Sequence, residues 1–204
     1  MDSGELIPGF EPETDLERRV LEEPDLLEGL AWGEPRVGHP EGAVGIHVAD
    51  LLKKLDQDGE TDEQRELLRF MTLVHDGFKY EVRERLPRVG PNHHGMRARR
   101  FAEQFTDDER MLAAIELHDR PYALWRKMRR RGKLDERAFR RMMRRIPDPQ
   151  LFLRFVELDG STEGKRREPI DWFRSELERR GYLDGTAGRG QRRRPRIRRE
   201  RVHS

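Results

Sequence analysis

The 204-residue sequence contains no cysteine, which excludes disulfide bonds and thiolate metal sites. Any metal ion must therefore be bound through nitrogen and oxygen atoms. The chain also lacks an apolar stretch of about 18 residues, the length that would indicate a membrane span. Its first residues show neither the basic region nor the apolar region of a secretory signal. These absences predict a cytoplasmic protein that is neither exported nor inserted into a membrane.

Opposed charges at the two ends dominate the composition. Charged residues make up 40% of the chain, and the mean hydropathy is −1.00. Residues 1–36 hold eleven acids against three arginines, whereas residues 186–204 hold eight arginines against one glutamate. From this pattern we predict a loosely ordered acidic segment over 1–25, one folded domain over 26–183 and a disordered basic tail over 184–204.

Helix signals recur along the middle of the chain, and neither a strand pattern nor an internal repeat is apparent. One predicted helix begins at a capping box, with Thr106 as N-cap and Glu109 at the third helical position, and runs to Pro121. Another predicted helix contains His47. The remaining predicted helices cover residues 61–76, 96–104, 122–130, 136–146, 149–159 and 169–180. The sequence therefore predicts an all-α fold.

Four side chains that can bind metal stand where a helical core normally holds apolar residues: His47, His75, Asp76 and Asp159. Val44, Val48 and Leu51 share a helical face with His47. The pair His75–Asp76 closes a helix that is apolar on nearly every side. A buried carboxylate is costly unless a cation pairs with it, and a divalent metal ion is such a cation. We therefore predict a metal site formed by several helices, although His47 alone would more often be an ordinary core histidine.

The order of these residues resembles that of the HD-domain superfamily of metal-dependent phosphohydrolases, named for the pair that here is His75–Asp76. The family has a His on one helix, the His-Asp pair at the end of the next and an Asp on a late helix, a pattern that matches this chain over about residues 26–181. Lys79 follows Asp76 by three positions, as in the family's His-Asp-x-x-Lys form. The segment Gly38–Gly42, which leads into the His47 helix, is similar to one in HD domains of bacterial CCA-adding enzymes.

The resemblance implies a helical bundle with one or two divalent metal ions, of Mn, Fe, Co, Ni, Zn or Mg. A metal-activated water would then cleave a phosphomonoester or phosphodiester of a nucleotide or another small phosphorylated metabolite. Family members with two ions add two histidines, which here would be His118 and either His93 or His94. The choice between these neighbours is nearly even, with a slight preference for His93, because Ala98 then falls where the family often has a small residue.

The resemblance also suggests roles in catalysis and substrate binding. Asp76 has two oxygens and could bridge two ions, and His118 could instead contact substrate or donate a proton. Positive side chains would neutralise the phosphoryl group, and the candidates are Lys79, Arg97, Arg100 and Arg120.

Two other functions remain open on the sequence alone. The arginine-rich tail could bind RNA through phosphate neutralisation, although its lack of aromatic residues argues against base stacking. The arginines between residues 127 and 145 would normally form a solvated helix face, but their density is also typical of a polyanion site. The protein could thus be RNA-associated with minor or lost catalysis, or a di-iron oxygenase on the same scaffold. Nothing in the sequence indicates the oligomeric state.

Overall fold

The computed structural model of the protein describes residues 3–35, 42–162 and 164–184. Regular structure in these ranges is entirely helical, without a strand, which confirms the predicted all-α class. A 3₁₀ turn covers Gly90–Asn92. The α-helices of the described ranges are α1 (Ser3–Leu6), α2 (Asp15–Val20), α3 (Pro24–Ala31), α4 (Val44–Leu55), α5 (Asp62–Val74), α6 (His94–Ala102), α7 (Glu109–Leu117), α8 (Arg120–Arg131), α9 (Glu136–Met143), α10 (Pro149–Asp159) and α11 (Glu168–Arg179).

Helix α5 lies at the centre of the domain, because it contacts α4, α7 and α10. Every residue from Leu68 to Val74 is buried, as its nearly continuous apolar sequence predicts. Phe152 and Phe155 of α10 belong to the same core. The C-terminal end of α5 therefore faces residues that three other helices supply.

Residues 3–25 of the acidic N-terminal segment are folded onto this core, which corrects the loose order predicted for that part of residues 1–25. Ile7 and Val20 are fully buried, and the buried Glu17 binds the equally buried Arg69 of α5, whose Nε lies 2.6 Å from Glu17 Oε1. The acidic composition was misleading because a few apolar side chains reach the core and a buried cation neutralises one of the acids. The folded region thus includes residues before the predicted boundary at 26.

Most predicted helices are present with ends that differ by a few residues, and the helix predicted over 149–159 has those bounds. The capping box at Thr106 is wrong, because Asp108 is the N-cap of α7 and Thr106 instead accepts a hydrogen bond from the Asp108 backbone N–H at 3.1 Å. Helix α7 also ends at Leu117, since α8 follows almost at once with Pro121 in its first turn.

Two sequence features fall largely outside the described residues. Of the predicted tail over 184–204, only Asp184 is described, and of the segment Gly38–Gly42, only Gly42. No helix in the described part of the chain is both long enough and apolar enough to cross a membrane.

Candidate metal centre

The predicted ligands meet where helices begin and end. Those closest to the centre are His47 in the first turn of α4, His75 and Asp76 just after α5, His94 at the start of α6, His118 just after α7 and Asp159 at the end of α10. Most of these side chains are buried, and His75 is completely inaccessible to solvent. The ends of five helices from different parts of the sequence therefore bring the candidate ligands together.

The first group consists of His47, His75, Asp76 and Asp159. Asp159 Oδ1 lies 3.1 Å from His47 Nε2 and 3.6 Å from His75 Nε2. Asp76 Oδ2 lies 3.5 Å from the same nitrogen of His75. Ligand atoms bound about 2.1 Å from one ion lie roughly 3 to 4 Å from each other, so this spacing suits a single metal ion.

The second group consists of Asp76, His94 and His118, and it uses the other oxygen of the same carboxylate. Asp76 Oδ1 lies 3.4 Å from His94 Nε2 and 3.5 Å from His118 Nε2. The two imidazole nitrogens are 3.2 Å apart. Asp119 extends this group toward solvent, with Oδ2 3.2 Å from His94 Nε2. The Asp76 carboxylate therefore belongs to both groups and offers one oxygen to each.

Backbone carbonyls fix the orientation of two of the imidazole rings. His75 Nδ1 lies 2.9 Å from the carbonyl oxygen of Thr72, and His118 Nδ1 lies 2.9 Å from that of Ile115. A carbonyl oxygen only accepts hydrogen bonds, so each Nδ1 carries the proton. In the neutral ring the lone pair is then on Nε2, which points into the cluster, as is usual for metal-binding histidines.

Two buried atoms in the cluster indicate that a further ligand fits there. His75 Nε2 and Asp76 Oδ1 make no hydrogen bond of normal geometry to any described residue. Buried polar atoms are rarely left in this state, because the loss of solvation is not compensated. Both atoms are metal ligands by type, and imidazole with carboxylate suits ions of intermediate hardness. The cluster therefore fits a divalent metal ion held by nitrogen and oxygen.

Two lysines keep the ligand carboxylates ionised. Burial raises the pKa of Asp76, but the adjacent Lys79 and His75 more than compensate, and the pKa lies well below its usual range. Lys79 donates directly to Asp76 Oδ2. Burial likewise raises the pKa of Asp159, but Lys165, with its Nζ 2.8 Å from Oδ1, and the hydrogen bond with His47 hold it well below the usual range. Both carboxylates are therefore anionic at neutral pH.

The pKa values of the two histidines of the second group are shifted in opposite directions. Burial lowers the pKa of His94 to about 3, against the effect of Asp76, and the proximity of His118 acts in the same direction. Burial also lowers the pKa of His118, but Asp119 and Asp76 outweigh it and raise the value to about 9. The two Nε2 atoms are 3.2 Å apart, so a positive charge on either ring disfavours protonation of the other.

The structure favours His94 over His93 as the ligand, contrary to the slight preference from the sequence. His93 is the N-cap of α6, and its Nδ1 accepts a hydrogen bond from the backbone N–H of Gly95 at 3.1 Å. Its ring stacks on that of His94, with the centroids 4.7 Å apart. His93 therefore lies in an outer position, near His94 and Asp119 rather than beside Asp76.

The four predicted phosphate-binding residues are distributed unevenly. Lys79 touches the centre through Asp76, and Arg120 begins α8 directly after Asp119. Arg97 is paired with Glu81. Arg100 lines a cleft of about 570 Å³ whose lining includes none of the candidate metal ligands, so its predicted role finds no support.

Sequence reasoning missed two residues of the centre, Asp119 and Lys165. Asp119 had a visible signal, because it forms a second His-Asp pair with His118. Lys165 had none, since it lies in the loop between α10 and α11 and reaches Asp159 only in the folded chain.

Gly95 permits the close approach of α6 and α7 that joins His94 to His118. A Cβ atom at this position would lie 2.6 Å from the carbonyl oxygen of Glu116, too close for a backbone contact. We expect Gly95→Ala to push α6 away from α7, to cost about 1 to 3 kcal/mol of stability and to weaken binding of a second metal ion. Calorimetric metal titration together with chemical denaturation measures both effects.

The matched control is Gly59→Ala, because a Cβ at Gly59 meets no atom within 4 Å. This variant should bind metal as the wild type does. If Gly95→Ala shows the same metal stoichiometry and the same stability as the control, the close approach of the two helices does not hold the second group together.

No family model matches the sequence, and comparisons with curated proteins and with solved structures give no match either. The geometry of the centre defines a class of site: a mostly buried cluster of imidazoles and carboxylates, with overlapping sets of possible metal ligands, in an all-α domain.

Proposed function

We propose that the protein is a metal-dependent phosphohydrolase of the HD-domain kind. Its substrate would be a phosphomonoester or phosphodiester of a nucleotide or another small phosphorylated metabolite. The observation that carries this proposal is the position of Asp76, whose oxygens lie 3.5 Å from His75 Nε2 on one side and 3.4 Å from His94 Nε2 on the other. A carboxylate placed in this way can bind two ions, the arrangement that two-metal phosphoester hydrolysis uses.

The first group of ligands would hold one ion, and the second group would hold another, with Asp76 common to both. A bound divalent ion would lower the pKa of a coordinated water toward about 7 and polarise a phosphoryl oxygen. The absence of thiolate ligands and the mixture of imidazole and carboxylate favour Mn, Fe, Co, Ni or Zn over an all-oxygen magnesium site.

Two lysines and the N-terminus of α8 lie next to the candidate metal ligands. Lys79 and Lys165 are partly exposed and lie against the ligand carboxylates, so both ammonium groups can also face a substrate anion. Helix α8 begins beside Asp119, and helix N-termini favour phosphate through their free backbone N–H groups. These groups would bind and orient the substrate next to the metal ligands.

The proposal predicts that His118→Ala reduces the metal content by about half, because the first group does not include His118. His94→Ala should have the same effect, whereas His93→Ala should leave both ions bound. Elemental analysis of the untagged variants gives the stoichiometry. Unchanged metal content in His118→Ala, combined with impaired turnover, would instead make His118 a proton donor or substrate contact.

A substrate screen tests the reaction class. The full chain is incubated with nucleotide and small-metabolite phosphoesters under several divalent metals, and released phosphate or alcohol is measured. Turnover that requires a metal ion supports the proposal. Bound iron with oxygen consumption would indicate an oxygenase, and salt-dependent RNA binding without turnover of any phosphoester would indicate a binding protein.

A further inference from the structure

Positive charge is concentrated on the helical hairpin formed by α8 and α9, residues 120–145, which we call the α8–α9 surface. This stretch contains twelve lysines and arginines but only two acids, Asp135 and Glu136. Both acids are already paired, Asp135 with Lys127 at 2.5 Å and Glu136 with Arg180 at 2.7 Å. The hairpin thus has a net charge of +10 before its neighbours are counted.

Most of these cations lack a partner within the described part of the protein. Nine of them are exposed and form no ion pair with any described residue, among them Arg130, Arg137, Arg140 and Arg141. Arginines elsewhere are often paired, and Arg154, for example, binds both Asp58 and Glu60. Other exposed cations also lack an ion pair, but the α8–α9 surface concentrates nine of them in one hairpin.

The arrangement along α9 opposes helix stability. Arg137 and Arg141 lie one turn apart on the helix, as do Arg140 and Arg144, and like charges at this spacing are destabilising. The helix is held instead by its apolar face, where Phe139 is fully buried. A polyanion bound across the surface would remove the repulsion between these arginines.

A groove between the two helices gives the surface a shape that can hold a chain of phosphates. Its volume is about 280 Å³, and it is lined by apolar side chains, by one acid, Asp135, and by four cations: Arg120, Lys127, Arg141 and Arg145. It begins near the metal centre, because Leu117 and Arg120 line it and flank His118 and Asp119 in the sequence.

An exposed aromatic ring accompanies the cations. Tyr122 of α8 is 49% exposed and stacks on Trp125, with ring centroids 6.0 Å apart and planes inclined by 25°. The guanidinium of Arg126 lies 5.8 Å from the centre of the Tyr122 ring. Exposed aromatic side chains beside cations stack on the bases of single-stranded nucleic acid. In a duplex the bases are stacked on each other and are not accessible to such a ring.

We propose that the α8–α9 surface binds single-stranded nucleic acid, with its arginines along the phosphates and Tyr122 stacked on a base. The inference rests on the charge, the groove and the aromatic stack, and it does not require the metal centre to be catalytic. Acidic membranes and acidic proteins match the charge equally well, but neither provides a flat base for Tyr122.

The test uses fluorescence anisotropy of a labelled oligouridylate with the full chain. One variant replaces Arg130, Arg137, Arg140 and Arg141 with Gln. A control variant replaces the same number of exposed cations outside the hairpin, none of which forms an ion pair with a described residue: Lys53, Arg85, Arg88 and Arg166. Both variants have the same net charge, so they differ only in where the charge is removed.

We expect the hairpin variant to bind at least about tenfold more weakly. The slope of log binding constant against log salt concentration should become shallower by about 0.7 for each phosphate that is no longer neutralised. The control should bind nearly as the wild type does. Tyr122→Ala should weaken binding about tenfold and leave the salt dependence unchanged, because stacking releases no counterions.

Equal weakening in the hairpin variant and the control would overturn the proposal, because binding would then follow net charge or the basic tail. So would a wild type that binds phosphatidylserine vesicles but not the oligonucleotide, or a Tyr122→Ala variant with unchanged affinity. Circular dichroism of each variant confirms that the helices are intact, so that loss of binding is not loss of fold.

Discussion

Replacing Asp76 with Ala should abolish both metal binding and phosphoester hydrolysis while leaving the helix content nearly unchanged. Asp76 is the one residue common to the two ligand groups, with one oxygen directed at each, so its loss removes a ligand from both. It follows the last helical residues of α5 and caps no helix, so secondary structure does not depend on it. Elemental analysis, turnover and circular dichroism on the same sample test the three parts of this expectation.

Asp50→Ala is the matched control, because Asp50 is an exposed acid on α4, the helix that also carries His47. This variant should keep wild-type metal content and activity. Full metal content in Asp76→Ala would contradict the assignment of Asp76 as a ligand. If turnover were lost while the metal content stayed full, Asp76 would have a role in catalysis only.

Replacing Arg69 with Ala should destabilise the fold by about 3 to 5 kcal/mol, because breaking a buried ion pair leaves the remaining charge without compensation. Arg69 and Glu17 are only 2% and 1% exposed, and Arg69 also donates to the carbonyl oxygen of Glu11 at 2.9 Å. Such a loss is a large share of the stability of an ordinary domain. Urea denaturation at neutral pH measures it, and limited proteolysis should show that residues before α3 become accessible first.

Two further variants test whether the effect comes from burial of the pair. Arg18→Ala removes an exposed pair with Asp15 and should cost about 1 kcal/mol or less. The double variant Arg69→Met with Glu17→Leu should recover most of the loss, because apolar residues of similar volume often replace a buried ion pair without penalty. If Arg69→Ala is no less stable than Arg18→Ala, the pair does not hold the N-terminal segment on the core.

The proximity of the candidate ligands of the first group could be predicted from the sequence, because each member interrupts a regular apolar pattern. His47 shares a helical face with three aliphatic residues, and His75–Asp76 ends a buried helix, so a polar residue at either place requires an explanation. The structure brings those residues and Asp159 within a few ångströms of each other. Their assignment to a phosphohydrolase remains a proposal.

The arrangement of the second group could not be predicted in the same way. His93 and His94 are adjacent in sequence, and only the N-cap geometry of α6 shows which ring is used to cap the helix and which faces Asp76. Lys165 reaches Asp159 from a loop whose course has no periodic signal. Contacts of this kind depend on where helices end in space, which hydrophobic patterning does not specify.

Under the proposed function, phosphoester hydrolysis requires metal ions bound in the His-Asp cluster. The most direct measurement follows turnover of a phosphoester as metal is returned to chelator-treated, untagged protein while bound metal is determined on the same samples. We predict negligible turnover in the stripped protein and a rise that parallels occupancy of the cluster. Turnover that continues at the full rate after the metal has been removed would contradict this requirement.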